Sequence, residues 1–163
     1  MDFTIQKEDP RKRDVTELIQ THFEFCMASV PPENVYALNV EKLCSPEITL
    51  FGARSTESGV LLGIGALRKL DNTHGELKTM HTAKFARGKG IGTAIVNRIL
   101  TFSRTEGMTR ISLESGFEEA RKLYAKVGFK NCDSFGDYIT NNINVCMTLD
   151  LLEYYRILRI LDE

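Results

Sequence analysis

Arg87-Gly88-Lys89-Gly90-Ile91-Gly92-Thr93 is a run in which glycine recurs at every second position and two cations flank the first of them. Glycine at this density lets the backbone approach a ligand closely and take dihedrals that a Cβ forbids. The residues that follow, AIVNRILTFSR, extend a helical pattern with Ile91, Ala94, Ile95, Ile99 and Phe102 on one apolar face. A glycine turn that opens a helix aims unpaired N–H groups and the positive end of the helix dipole at one spot, which makes an anion site. Arg87 and Lys89 add full positive charges beside it. Without a ligand the run is a tight strand-to-helix turn with two exposed cations, but three glycines exceed what such a turn requires.

Two common phosphate loops do not fit. A P-loop needs G-x-x-x-x-G-K-[ST], and no glycine here stands in that frame. The dinucleotide fingerprint needs G-x-G-x-x-G early in a βαβ unit, whereas this run is G-x-G-x-G and lies past the middle of the chain. What fits is R-x-x-G-x-G, as Arg87-x-x-Gly90-x-Gly92, after a strand-like Gly75-Glu76-Leu77-Lys78-Thr79-Met80-His81-Thr82. This resembles the pyrophosphate-binding motif of the GNAT N-acetyltransferase superfamily, whose ligand is acetyl-coenzyme A. A second block, Ala120-Arg121-Lys122-Leu123-Tyr124-Ala125-Lys126-Val127-Gly128-Phe129, follows the strand-like Arg110–Glu114. It is similar to the A-x-x-L-Y-x-x-x-G-F helix of the same superfamily, in the expected order and at the expected separation. The resemblance runs from Phe3 to about Leu149, and with PPENVYAL, DNTHGELKTM and FGDY it points to a small bacterial-type branch. One departure is that only Ser115-Gly116-Phe117-Glu118-Glu119 separate Glu114 from Ala120, a shorter loop than related sequences carry.

The resemblance implies an α/β fold: a central, mostly antiparallel mixed sheet with helices on both faces. It implies acetyl-CoA as cosubstrate and no metal. The coenzyme would lie on Arg87, Gly88, Lys89, Gly90, Ile91, Gly92 and Thr93, with the pantetheine arm along the backbone of Met80, His81 and Thr82. Acetyl transfer to an amine requires a base for the ammonium proton, donors for the oxyanion and a proton donor for the departing thiolate. Glu76 matches the position of the family's glutamate base, acting directly or through a water; its structural alternative is a strand-end carboxylate paired with Lys78. Tyr124 matches the family tyrosine beside the sulfur, a phenol that is protonated at neutral pH; the alternative is a core aromatic. Weaker acceptor-side candidates are His22, on an apolar helix face; His74, in the Asp71–His74 loop; Glu114, a second carboxylate and backup base; and Asp137, in Phe135-Gly136-Asp137-Tyr138.

Composition sets the remaining bounds. With 163 residues the chain makes one domain, read as 1–150, followed by a helical extension over 151–163. A net charge of −1 and the lack of a basic block argue against a nucleic-acid partner. No apolar stretch approaches a membrane span. The opening MDFTIQKEDP lacks the basic-then-apolar order of a secretion signal, so a cytoplasmic protein is expected. Cys26, Cys44, Cys132 and Cys146 have no C-x-x-C spacing and read as buried free thiols.

Along the chain the pattern predicts a strand at 3–5, then a helix launched by Asp9-Pro10 to about residue 28, with Val15, Leu18, Ile19, His22 and Cys26 inward. A second helix is expected over 33–43, strands over 48–53 and 60–70 as a hairpin, and a strand over 74–82. The coenzyme helix spans 90–104, a strand 109–114, a helix 118–127, and closing strands 129–131 and 144–149. The tail LLEYYRILRIL places Leu151, Tyr154, Tyr155, Leu158 and Leu161 on one face, for its own domain or for a homodimer partner. The sequence thus reads as an N-acetyltransferase acting on a small-molecule amine by direct attack. A non-catalytic acyl-CoA sensor and a protein-amine acetyltransferase are the alternatives.

Overall fold

The computed structural model describes residues 1–139 and 141–162. Seven strands form one sheet: β1 (Phe3–Lys7), β2 (Ile48–Ser55), β3 (Leu61–Lys69), β4 (His74–Thr82), β5 (Arg110–Ser115), β6 (Lys130–Cys132) and β7 (Val145–Asp150). Their order is β1-β2-β3-β4-β5-β7-β6. All neighbours are antiparallel except β4 and β5, which run parallel. Five helices complete the fold: α1 (Arg13–Ser29), α2 (Val40–Leu43), α3 (Ile91–Thr105), α4 (Glu118–Val127) and α5 (Leu151–Leu161).

The apolar runs of β2 and β3 are nearly continuous because both faces of the sheet are covered. Leu50, Leu61, Ile64 and Ala66 pack beneath Val15 and Ile19 of α1, while Phe51, Ala53, Leu62 and Leu67 pack beneath Ile91, Ile95 and Ile99 of α3. Space for α3 comes from β3 itself. A Cβ at Gly65 would lie 2.5 Å from Met80 Sδ and 2.6 Å from Ile95 Cγ2. The buried face of α3 is wider than one stripe, since Val96 and Leu100 are as buried as Ile95 and Ile99.

Two helices differ from the sequence expectation. Asp9-Pro10 does not open α1: Asp9 Oδ1 accepts from Arg11 N at 2.9 Å, closing a separate turn, and the helix starts at Arg13. The expected helix over 33–43 breaks into a 3-10 turn at Pro32–Asn34 and the single turn α2. Asparagine side chains compete with helical hydrogen bonding here. Asn34 Nδ2 donates to Asn144 Oδ1, 110 residues away, and Asn39 Oδ1 accepts from Lys42 N at 2.9 Å to cap α2. Residues 35–38 are left without helix or strand. Strand ends move by one or two residues from expectation.

Arg54 on β2, 8% exposed, is held by Glu8 after β1 and by Asp14 Oδ2 of α1 at 2.7 Å, which fixes α1 over the sheet. In α5, Leu151 is buried and Tyr154 and Tyr155 pack on the core, but Leu158 and Leu161 are exposed. All four cysteines are free; Cys26 and Cys146 are buried as expected, whereas Cys44 is exposed and Cys132 half-buried. Among the described residues no helix is long and apolar enough to cross a membrane.

Candidate active site

The glycine run folds as an open loop between β4 and α3. Arg87, Gly88, Lys89 and Gly90 are all exposed. Gly88 (φ +75°) and Gly90 (φ +80°) take left-handed backbone, and a Cβ on either would meet nothing within 4 Å, so conformation rather than space selects glycine here. Gly90 caps α3 without any side-chain hydrogen bond. The first helical bond runs from Ala94 N to Gly90 O at 3.0 Å, so the amides of Ile91, Gly92 and Thr93 project from the helix end. The arrangement fits a pyrophosphate: main-chain donors and the helix dipole face solvent beside the exposed Lys89 and Arg87, the latter donating from Nε to Thr82 O at 3.3 Å.

β4 leads into this loop and is itself irregular. Its ladder with β3 shifts between Ile64↔His81 and Ala66↔Lys78, so that Thr79 and Met80 together oppose Gly65. Thr79 has φ +56°, rare for a β-branched residue, and its Oγ1 is buried without a partner among the described residues. Bulges re-aim side chains and backbone next to functional sites. On its other edge β4 pairs with β5 only from His74 to Glu76. Beyond Glu76 the two strands part, and among the described residues no further ladder pair joins them.

Two pockets border β4, one in this gap and one on its β3 side, as two limbs that share part of their walls. The narrow one, about 100 Å³, lies between Thr79 and Met80 on β4, Glu114 on β5 and Tyr124 on α4. The wider one, about 380 Å³, is walled by Tyr36, Arg68, Glu76, Phe135, Asp137 and Tyr138. Val35, Tyr36, Ala37 and Lys78 line both, so the limbs adjoin across Lys78.

Tyr124 is buried, at 6% exposure, with its ring against Phe129 at 6.0 Å. Burial, reinforced by Glu114, pushes its phenol well above the usual tyrosine range and keeps it protonated. Across Lys78, Glu76 is 1% exposed. Tyr138 OH donates to its Oε2, and Lys78 Nζ donates to Tyr138 OH at 2.6 Å while standing 3.7 Å from the same carboxylate oxygen. Arg68 Nη1 approaches Oε1 at 4.0 Å. Glu76 is thus paired with Lys78, as the structural alternative has it, and it also lines the wider limb. Burial lowers the Lys78 ammonium from its ordinary value, opposed by Glu76, and raises the Tyr138 phenol, helped by Glu76.

Glu114 lines the narrow limb, where burial raises its carboxyl. Asn144 Nδ2 donates to it at 2.5 Å and also to Asn34 O at 3.1 Å, tying β5 to the 30–38 segment. His22 Nδ1 lies 3.0 Å from His81 Nδ1, with Cys26 Sγ 3.6 Å from the other His22 nitrogen. Burial depresses His22 to about 4 and lowers His81, so both rings are neutral. His22 borders the narrow limb. His74 borders neither limb; its Nε2 is 2.7 Å from Ser112 Oγ. Asp137 lines the wider limb and is exposed. The short 115–119 loop closes on α1 through Phe117, stacked on Phe25 at 5.1 Å.

Tyr138, Arg68, Tyr36 and Thr79 were not singled out by sequence. Tyr138 adjoins the flagged Asp137 and, as an aromatic beside a polar turn, carried the only usable signal.

Comparison with known proteins agrees with this geometry. The profile of the Acetyltransferase (GNAT) family matches residues 14–129. The chain is 39% identical to YsnE of Bacillus subtilis (strain 168), named an uncharacterized N-acetyltransferase, over 90% of this chain and 99% of that one. It is 36% identical to YedL of Escherichia coli (strain K12), similarly named, over 93% and 96% of the two chains. Among solved structures, the PaiA N-acetyltransferase of Thermoplasma acidophilum in complex with coenzyme A superposes with a TM-score of 0.70 at 17% identity, covering 92% of this chain and 99% of that one. The glycine loop, the parted strands and these matches converge: the chain belongs to the acetyltransferase (GNAT) family.

Proposed function

We propose that this enzyme transfers the acetyl group of acetyl-CoA to the primary amine of a small molecule by direct attack. The pyrophosphate rests on the 87–93 loop, the thioester enters the narrow limb toward Tyr124, and the amine waits in the wider limb. The observation that carries the reading is the adjoining of the two limbs: a buried phenol lines one and a phenol–carboxylate pair the other, with Lys78 between.

An acceptor ammonium first loses a proton to Glu76, through Tyr138 or through a water. The Tyr138 hydroxyl already donates to Glu76, so a proton taken up on its oxygen is passed on as its own proton moves to the carboxylate. Lys78, 2.6 Å from that hydroxyl, disfavours a second cation beside it and so favours the neutral, nucleophilic amine. The amine nitrogen then bonds to the thioester carbon, and main-chain groups at the β4 bulge offer the oxyanion its donors. As the carbon–sulfur bond breaks, Tyr124 donates to the sulfur. The proton shed in forming the amide balances the one gained by the thiol. An acyl-cysteine route lacks a nucleophile, since the Cys26 thiol bordering the narrow limb is pushed up to about 11 by burial.

The test is coenzyme-thiol release across an amine panel. Glu76→Gln and Tyr138→Phe should each lower kcat by about 10²-fold. Because they act in series, the double variant should lose little more than either alone. Fully multiplicative losses, or an unchanged kcat, would remove the pair as the proton path.

A further inference from the structure

The wider limb carries two cations, Lys42 and Arg68, that the transfer step does not use. Its walls hold Lys42, Arg68 and Lys78 against Glu76 and Asp137. Glu76 is already engaged by Tyr138 and Lys78, deep in the wall. Arg68 is held more loosely: its side chain is 42% exposed, its one ion pair among the described residues is with Glu76 at the 4.0 Å limit, and Glu47 faces it at longer range. Lys42 is exposed at the same opening, and Asp137 is the one carboxylate there without a cation partner among the described residues. Glu114 stands behind Lys78 in the other limb, tied to Asn144.

The remaining walls are apolar and aromatic. Tyr36 meets Tyr138 edge-on at 4.8 Å, and Phe135 meets Tyr138 at 5.1 Å. The volume, about 380 Å³, is at the small end of ligand pockets and suits a single compact acceptor.

We propose that the acceptor is an amino carboxylate with an apolar or aromatic body, its carboxylate held by Arg68 with Lys42 at the mouth and its amine at the Tyr138–Lys78 end. This rests on the acetyl-transfer reading given above. A guanidinium offers two parallel N–H donors that match a carboxylate, and with Nη1 4.0 Å from Glu76 Oε1 the Arg68 donors make no hydrogen bond to that carboxylate. The apolar body lies on Tyr36 and Phe135. A polyamine is disfavoured, because its second and third ammonium groups would face Lys42, Arg68 and Lys78.

The full chain is assayed for thiol release on matched pairs: phenylalanine with phenethylamine, tyrosine with tyramine, leucine with isoamylamine, and spermidine as the polycation. The acid of at least one pair should exceed its decarboxylated partner in kcat/KM by about tenfold or more. Arg68→Gln should collapse that ratio through KM of the acid, and Arg68→Lys should restore part of it. Amines equal to or better than the acids, or an Arg68→Gln loss shared equally by both members of a pair, would overturn the proposal. Binding separates it from the transfer reading. N-acetyl-phenylalanine, -tyrosine and -leucine are titrated calorimetrically into the coenzyme A-loaded protein beside the matching acetamides. Arg68-dependent binding of the N-acetyl acid without turnover on any pair would keep the carboxylate site and refute acetyl transfer. No preference for the N-acetyl acids would refute the carboxylate site even where amines are acetylated.

Discussion

Gly90→Ala isolates the conformational demand of the coenzyme loop from every other effect. A Cβ at residue 90 meets nothing within 4 Å, so the substitution introduces no clash; what it introduces is a side chain at φ +80°. Holding a non-glycine residue in left-handed backbone costs about 1–2 kcal/mol. In the free protein the loop is exposed, and its main hold on residue 90 is the single bond from Ala94 N. The free loop can therefore relax to negative φ, turning the amides ahead of α3 away from a common point. The bound loop cannot, so the cost appears as lost affinity, about 5- to 30-fold in Kd for acetyl-CoA. Gly107 supplies the control. It has φ +82° and an equally empty Cβ position, but lies at the opposite end of α3, where Gly107 N donates to Arg104 O and Met108 N to Ser103 O. Those bonds pin the turn, so Gly107→Ala should lower Tm by about 2–8 °C while acetyl-CoA binds as before. The assay is titration calorimetry at fixed ionic strength, since phosphate contacts weaken with salt, alongside thermal denaturation. Wild-type acetyl-CoA affinity in Gly90→Ala would refute the assignment of the loop as the pyrophosphate cradle.

Tyr124→Phe should reduce turnover by about 10²-fold while acetyl-CoA still binds, as read by thiol release and calorimetry; undiminished turnover would remove Tyr124 as the donor to sulfur. Stability should fall on acidification, because His22 is held neutral to about pH 4 in the fold whereas an unfolded histidine protonates below about 6.5. The unfolded chain then binds the extra proton, costing about 2 kcal/mol between pH 7.5 and pH 5, and His22→Phe should flatten that slope in urea titrations. Gly65→Ala should destabilise by about 1–3 kcal/mol, since its Cβ would fall 2.6 Å from Ile95 Cγ2 in a packed interface and only the flexible end of Met80 can give way. A Tm equal to wild type would show that α3 can lift from β3 without cost.

How far the site was legible follows from how each part is encoded. The coenzyme loop and α3 are contiguous, and glycine spacing plus helical periodicity describe them almost to the residue. The proposed catalytic side is assembled from separated segments. Lys78 and Tyr138 are 60 residues apart, and His22 and His81 are 59 apart. No local pattern announces such pairs, so Tyr138 and Arg68 passed unnoticed although Asp137 and Glu76 did not. The second helix differs for a related reason: the stretch 33–43 reads as one helix, but Asn34 is recruited by Asn144 across the molecule and Asn39 restarts the helix at Val40. Thr79 is the least readable feature, because nothing in its residue type advertises positive φ.

The parting of β4 and β5 after Glu76 divides the labour of recognition between two kinds of atom. On the proposed reading the donor end would be held largely by main-chain amides before α3 and at the edge of β4, while the acceptor end is lined by side chains, several on segments 35–38 and 135–138 that add no strand to the sheet. Side chains on such segments change without disturbing the scaffold. Laboratory evolution toward a new amine should therefore gather substitutions at Tyr36, Arg68 and Phe135 and spare Tyr138 and the 87–93 loop. On that reading a new acceptor calls for changes at one end of the cleft alone, and the donor end can stay as it is.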